Sequence, residues 1–213
     1  MQLLGVLGGT FDPVHCGHLR LAVEVREQLS LSAVHLIPCA NPPHRGEPKA
    51  DPALRLRMLH GATQGDSAFV VDDREMRRAG PSYTVDTLQS LRADFPDHVL
   101  CLILGMDVLT GLPQWHRWQE ILDLAHLAVG RRPGTEFPGP GAVADMLARR
   151  QVKSVAAMGD AEAGKIIVCD IPALDISASQ VRQRCASRRS VRYLVPDCVA
   201  TIIDEEELYR DEQ

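Results

Sequence analysis

The chain has 213 residues, 45% of them apolar and 24% charged, with 28 Asp and Glu against 23 Lys and Arg for a formal charge of −5. That composition is ordinary for a globular protein and excludes disordered, collagen-like and coiled-coil classes. There is no basic excess to neutralise a polyphosphate backbone, so nucleic acid is not an expected partner, and an anionic ligand must be held by a few placed cations and backbone N–H groups. No run reaches the roughly 20 apolar residues that span a bilayer. The opening MQLLGVLGGTFDP has no basic segment of the kind that begins a secretory signal, so no membrane partner is expected. The six cysteines (Cys16, Cys39, Cys101, Cys169, Cys185 and Cys198) form no C-x-x-C pair. They read as reduced thiols of a cytoplasmic protein rather than as a zinc site or a disulfide framework.

Leu3 to Leu7 reads as a first strand ending at Gly8-Gly9, and His18 to Leu29 as a helix with Leu19, Ala22, Val25 and Leu29 at helical spacing. Val34 to Pro38 is a second strand, stopped by the loop Asn41-Pro42-Pro43-His44-Arg45. A helix over Leu54 to Ala62 and a short strand over Phe69 to Asp72 follow, then a helix over Thr84 to Ala93. Val99 to Leu104 is continuously apolar, as expected of a strand covered on both faces. Trp118 to Leu124 reads as helix, His126 to Val129 and Ile166 to Cys169 as strands, and Ser179 to Ala186 and Asp197 to Glu206 as late helices. Arg132 to Gly141 is a Pro- and Gly-rich loop, and the stretch from Pro133 to Gly164 carries no assigned function beyond a helix between loops. This alternation predicts an α/β, Rossmann-like, doubly wound parallel sheet in a single domain over 1–213, with a helical C-terminal part from about 177. Such sheets bind ligands beyond the carboxyl ends of their strands, here the loops after Leu7, Pro38, Leu104 and Val129.

The first of these loops reads Gly8-Gly9-Thr10-Phe11-Asp12-Pro13-Val14-His15-Cys16-Gly17-His18. Two glycines permit a sharp turn and close approach of a ligand to the backbone. A helix opening near Gly17 offers unpaired N–H groups and a positive dipole end to an anion. His15 and His18, three apart, leave that opening on one side, and two imidazole donors there suit a phosphate that gains charge during transfer. No further ligands stand at zinc spacing, so no metal site is assigned to the protein's own side chains. Near the other end, Ile176-Ser177-Ala178-Ser179-Gln180-Val181-Arg182 opens a second helix in which Ser177 or Ser179 can N-cap and Arg182 lies about one turn in.

The first string resembles the G-G-x-F-x-P-x-H-x-G-H motif of the nucleotidyltransferase superfamily, related to the H-I-G-H element of class I aminoacyl-tRNA synthetases. The second resembles that superfamily's I-S-[ST]-[ST]-x-x-R element, with Ala178 at the third position. The resemblance implies ATP with its triphosphate over His15 and His18. It places Gly8, Gly9, Thr10 and Phe11 at the phosphates and Ser177, Ser179 and Arg182 at the β and γ phosphates, with Ile176 also among the ATP-binding residues.

The middle of the chain carries the acceptor information. The P-P-H-R loop, the Pro81-Ser82-Tyr83-Thr84-Val85-Asp86-Thr87-Leu88 segment, the Gly105-Met106-Asp107 turn, Leu112-Pro113-Gln114-Trp115 and the Arg131-Arg132-Pro133-Gly134 string resemble the nicotinate-nucleotide adenylyltransferase family over essentially the full chain. Transfer of AMP from ATP to nicotinate mononucleotide, giving nicotinate adenine dinucleotide and pyrophosphate in NAD biosynthesis, is the implied activity. Asn41, His44, Arg45, Tyr83, Thr84 and Trp115 would hold nicotinate mononucleotide. Trp115 would stack on the pyridine, and N–H groups near Thr84 and Trp115 would receive its carboxylate. Gly105, Asp107 and Arg132 would line the adenosine site. His15, His18 and Arg182 are the expected catalytic groups, and Mg²⁺ is expected on the triphosphate, held mainly by phosphate oxygens and water.

No string offers an activated nucleophile, and the acceptor phosphate needs no general base, so direct in-line attack on the α-phosphorus is expected. Two alternatives stay open: a nicotinamide mononucleotide adenylyltransferase, since a carboxylate received by backbone N–H groups leaves no side-chain signature, and a nucleotide-binding module without catalysis. Homo-oligomer formation is also left open.

Overall fold

Apolar runs with β-branched residues become the strands, and stretches with apolar residues at helical spacing become the helices that cover them. The computed structural model describes residues 2–43 and 46–210. In chain order it contains β1 (Gln2–Gly9), α1 (Cys16–Leu29), β2 (Ala33–Pro38), α2 (Pro52–Thr63), β3 (Phe69–Val71), α3 (Arg74–Arg77), α4 (Thr84–Asp94), β4 (His98–Gly105), α5 (Met106–Thr110), α6 (Trp118–Leu124), β5 (His126–Arg131), α7 (Ala142–Arg150), β6 (Gln151–Val152), β7 (Ile166–Asp170), α8 (Ala178–Ala186) and α9 (Asp197–Glu205). The strands form one seven-stranded sheet in the order β3-β2-β1-β4-β5-β7-β6, so the order reverses at β1 beside β4. The expected doubly wound α/β class is the one observed.

Most boundaries fall within two residues of those read from the pattern. Helix α1 begins at Cys16 rather than His18, and β1 runs through Gly9 rather than stopping at Leu7. The short helices α3 and α5 were not expected; at 4 and 5 residues they are too brief to show a periodicity. The Pro133–Gly164 stretch contains the expected helix, α7. It also holds the two-residue strand β6, paired parallel with β7 through Gln151↔Ile166, and two residues are too few to show alternation.

The chain divides into two compact units, each built from separated segments. The first comprises the residues up to Leu7, Leu21–His35 and Tyr83–Ala173. Its parallel pairing runs through Leu3↔Val99, Leu102↔Leu127 and Leu127↔Ile166. Val99 to Leu104 are buried throughout, which is why that strand reads as an unbroken apolar run. A Cβ on Gly130 would run into the side-chain ends of Leu21 and Ile171, which would have to shift to admit it.

The second unit comprises Gly8–Arg20, Leu36–Ser82 and the chain from Leu174 onward. Here α2 starts on Asp51, whose carboxylate accepts the Leu54 N–H at 2.9 Å, with Pro52 at its first position. Gly61 lets α2 approach α9 closely: a Cβ there would lie 3.2 Å from Cys198 Sγ. Arg57 joins the same two helices by pairing with Glu205 and Glu206 at 2.8 and 2.6 Å.

Candidate active site

The glycines after the first strand do not make the turn expected of them. Gly8 and Gly9 extend β1 with ordinary extended backbone, and the chain reverses at Phe11, which adopts φ 48°. What the glycines supply is room. A Cβ on Gly8 would have nothing within 4 Å, so the backbone is open to a ligand, whereas one on Gly9 would lie 3.1 Å from the Phe11 ring. Phe11 is 1% exposed and sets its ring edge-on to His18 at 5.0 Å between centroids. Its side chain therefore braces a histidine.

His15 and His18 stack at 3.6 Å between ring centroids with 24° between planes. They are not equivalent: His15 is buried and His18 half-buried. The His15 backbone N–H donates to His18 Nδ1 at 3.3 Å, which leaves the proton of a neutral His18 on Nε2, a hydrogen-bond donor on the far side of the ring. The first-turn N–H groups of α1 are also not equivalent. That of Cys16 donates to the Leu194 carbonyl at 2.9 Å and that of His18 to the His15 carbonyl at 3.0 Å. The Gly17 N–H has no partner among the described residues and is the donor that this helix opening offers an anion.

The second opening is α8. Ser177 is its N-cap: its Oγ accepts the Gln180 N–H at 3.2 Å while Gln180 Oε1 accepts the Ser177 N–H at 2.9 Å, a reciprocal capping box. Both serine hydroxyls are exposed, and each still has its own hydrogen to donate. Arg182 donates from Nη2 to Ser179 Oγ at 3.3 Å and from Nη1 to the Asp12 carbonyl at 2.7 Å.

These two openings, about 160 residues apart in sequence, touch. A Cβ on Gly17 would lie 3.0 Å from His15 Nδ1 and 3.1 Å from the Ile176 carbonyl oxygen. Glycine at 17 is what allows α1 to start this close to both. Gly17, the two imidazoles, the Ser177 cap and Arg182 thus gather within one unit as a cluster of donors.

Beneath the cluster lies a buried group that the motif pattern does not announce. Asp12 is 3% exposed, and its carboxylate accepts the backbone N–H groups of Lys49 and Ala50 and, at 2.7 Å, the Tyr209 hydroxyl. Arg55, 1% exposed, donates to the carbonyls of Thr10, Cys39 and Ala50. Burial lowers its pKa, while the nearby Asp12 carboxylate acts in the opposite sense. No sequence pattern could have linked Asp12 to a tyrosine 197 positions away.

Within the second unit, the chain beyond β2 is latched to the segment before α4. Ser82 Oγ accepts the N–H groups of Ala40 and Asn41, and the Asn41 amide donates to the Gly80 carbonyl at 2.9 Å. Asn41, expected to meet the acceptor, gives one of its two amide hydrogens to this latch. Cys39, beside the latch, has its pKa raised to about 11, first by burial and then by the Glu75 carboxylate, so it is an unreactive thiol. His44 and Arg45 lie outside the described residues.

The remaining expected residues belong to the first unit. Tyr83 precedes α4 as its N-cap without a side-chain cap hydrogen bond, and Thr84 opens the helix. Tyr83 stacks on His116 at 4.2 Å. Trp115 is half-buried rather than exposed. Its N–H closes a turn onto the Leu112 carbonyl at 2.9 Å and cannot receive a carboxylate, whereas the His116 N–H has no partner among the described residues. Asp107 curls back over Gly105, where a Cβ would come within 2.5 Å of its Oδ1, and faces Arg132 at 3.9 Å. Arg132 borders an open pocket of about 400 Å³ together with Arg131, Pro133, Gly134, Thr135 and Asp170.

Comparison with known proteins places this geometry in context. The cytidylyltransferase-like family model matches residues 6–184. Proteins named as probable nicotinate-nucleotide adenylyltransferases are 47% identical in Aeromonas hydrophila, covering 97% of both chains, and 48% identical in Pseudomonas syringae, covering 97% of this chain and 93% of that one. Among solved structures, the Plasmodium falciparum nicotinic acid mononucleotide adenylyltransferase complexed with NaAD shares the fold with a TM-score of 0.76 at 15% identity, over 98% of both chains.

Proposed function

Because the chain belongs to the nicotinate-nucleotide adenylyltransferase family, we propose a division of labour among its residues in the transfer of AMP from ATP to nicotinate mononucleotide. The phosphate oxygen of the mononucleotide attacks the α-phosphorus of ATP. The bond from that phosphorus to the bridging oxygen of the β-phosphate breaks, and nicotinate adenine dinucleotide and pyrophosphate leave. The attacking phosphate is already an anion at neutral pH, so no side chain has to remove a proton. Catalysis then rests on positioning two anions that repel each other and on donors aimed at the developing charge.

His18 donates from Nε2–H to the triphosphate, with His15 stacked behind it and Phe11 at its edge. The Gly17 N–H and Arg182 supply further donors, and the hydroxyls of Ser177 and Ser179 meet the departing pyrophosphate. Gly8, Gly9 and Thr10 border the phosphates through backbone, and Gly105, Asp107 and Arg132 take the adenosine end. Nicotinate mononucleotide falls to Asn41, Tyr83, Thr84 and Trp115, with His44 and Arg45 assigned on motif alone. The carboxylate of the pyridine is received by the Thr84 and His116 N–H groups, since that of Trp115 is spent.

Mg²⁺ belongs to the substrate in this reading. The one carboxylate of the phosphate loop, Asp12, has both oxygens engaged by protein donors, so the residues at the site suit an ion carried by phosphate oxygens and water. Bound there it offsets charge on the triphosphate. A cytoplasmic location fits six cysteines that are all free thiols.

The close approach of Gly17 to Ile176 carries the proposal, because it joins the imidazole-bearing and hydroxyl-bearing helix openings into one anion site. Pyrophosphate release measured with ATP, Mg²⁺ and each mononucleotide tests it. Turnover with nicotinate mononucleotide at a kcat/KM well above that for the nicotinamide form is expected. Preference for the amide would reassign the acceptor, and release with neither would leave a nucleotide-binding module.

A further inference from the structure

The β1–α1 loop is held by three buried polar groups, Asp12, Arg55 and Tyr209. Tyr209, at the last described turn of the chain, holds φ 61°, a backbone conformation that an aromatic residue rarely adopts. It is nonetheless 7% exposed, with its hydroxyl 2.7 Å from Asp12 Oδ1. Phe11, one residue before Asp12, holds φ 48°. Left-handed backbone therefore stands at one end of this buried hydrogen bond and at the residue just before its other end, and such strain persists only where its surroundings enforce it.

Asp12 links this bond to the site through its main chain, because its carbonyl takes the Arg182 guanidinium at 2.7 Å. Arg55 completes the support by tying the Thr10 carbonyl, at 2.8 Å, to that of Cys39, at 2.6 Å. Burial and the neighbouring Asp12 charge raise the Tyr209 pKa, so the phenol keeps its proton and stays a donor. The close contact of α2 with α9 at Gly61 and Cys198 packs together the helix that carries Arg55 and the one that leads to Tyr209.

We propose that Tyr209, Asp12 and Arg55 form a positioning frame that sets the distance between Arg182 and the β1–α1 loop, so that the turn carrying Tyr209 governs how ATP is held for transfer. The inference rests on the adenylyl-transfer reading of the same site. It adds that residues outside the ligand's reach determine the alignment of the donors.

Tyr209→Phe tests it, because the ring is kept and only the hydroxyl is lost. A displacement of about 1 Å in a catalytic group costs on the order of a hundred-fold in rate. The variant is expected to fold, to bind ATP more weakly and to release pyrophosphate roughly ten- to a hundred-fold more slowly, with KM for nicotinate mononucleotide within about two-fold. Arg55→Lys keeps the charge, loses the planar fork and is the second variant, expected to show the same split between kcat and KM. In an Asp12→Asn background the Tyr209→Phe effect should shrink, as for groups acting as one unit. A folded Tyr209→Phe or Arg55→Lys protein with wild-type kcat and ATP affinity, even at lower melting temperature, overturns the proposal and leaves the contacts merely structural. Calorimetric ATP affinity separates the two levels: an inert wild type sinks the adenylyl-transfer reading, while the frame still stands or falls on the loss of affinity in Tyr209→Phe.

Discussion

Gly17→Ala sets two opposing effects against each other. At the second position of α1, alanine ordinarily stabilises a helix by about 0.5–1 kcal/mol over glycine. Here the added Cβ would meet His15 Nδ1 at 3.0 Å, His15 Cε1 at 3.1 Å and the Ile176 carbonyl oxygen at 3.1 Å. Comfortable contacts of carbon lie near 3.5–4.0 Å, so the neighbours must yield by about 0.5 Å. One of them is backbone and another belongs to the ring stacked on His18, so neither moves alone. The helix gain and the steric cost roughly cancel in stability, and the melting temperature should change by no more than a few degrees. Catalysis has no such compensation. If 1 Å of misplacement costs about a hundred-fold, half that should lower kcat/KM for ATP roughly ten-fold. Steady-state pyrophosphate release beside a thermal melt reads both quantities. A variant with kcat/KM within two-fold of wild type would show that the contact between the helix openings does not organise the site.

His18→Ala should lower kcat by roughly 10²–10³, the scale for losing one donor to developing charge, with little change in thermal stability; turnover near the wild-type rate would remove His18 from the chemistry. Trp115→Ala should raise KM for nicotinate mononucleotide and spare ATP affinity, measured by varying each substrate at saturation of the other, and a rise confined to ATP would put Trp115 on the wrong ligand. His126 is fully buried, lies 3.0 Å from the Ala161 carbonyl through Nε2 and accepts the Lys165 N–H at Nδ1, an arrangement only the neutral ring satisfies. Burial lowers its folded-state pKa below the unfolded value, so its contribution to stability is complete above about pH 6.5 and is lost as pH falls through the folded pKa. The urea midpoint should drop between about pH 7 and pH 5, and drop less in His126→Asn; equal slopes would assign the acid sensitivity elsewhere.

Much of this molecule could be read from its sequence because local and global signals agree. The strand over Val99–Leu104 is apolar at every position because it is covered on both faces, and Trp118–Leu124 is a helix with the bounds its pattern implies. The motif strings pointed to two helix openings, and the structure brings them together at Gly17 and Ile176; both were legible because capping and dipole preferences are local properties. What escaped has a common cause. Asp12, Arg55 and Tyr209 act through contacts made across as many as 197 positions, and a buried arginine looks in sequence like a surface one. The glycine pair misled because glycine signals room as often as it signals a turn: Gly8 is open where a ligand can approach, and the reversal falls to Phe11. Trp115 likewise reads as an exposed platform until the turn onto Leu112 shows its N–H already spent.

If one triphosphate is held by both helix openings at once, a crystal structure with a non-hydrolysable ATP analogue and Mg²⁺ will show phosphate oxygens within hydrogen-bond distance of His18 Nε2 and the Gly17 N–H at one opening, and of Arg182 and the α8 hydroxyls at the other. Phosphates bound at only one of the two, or lying apart from both, would rule that arrangement out.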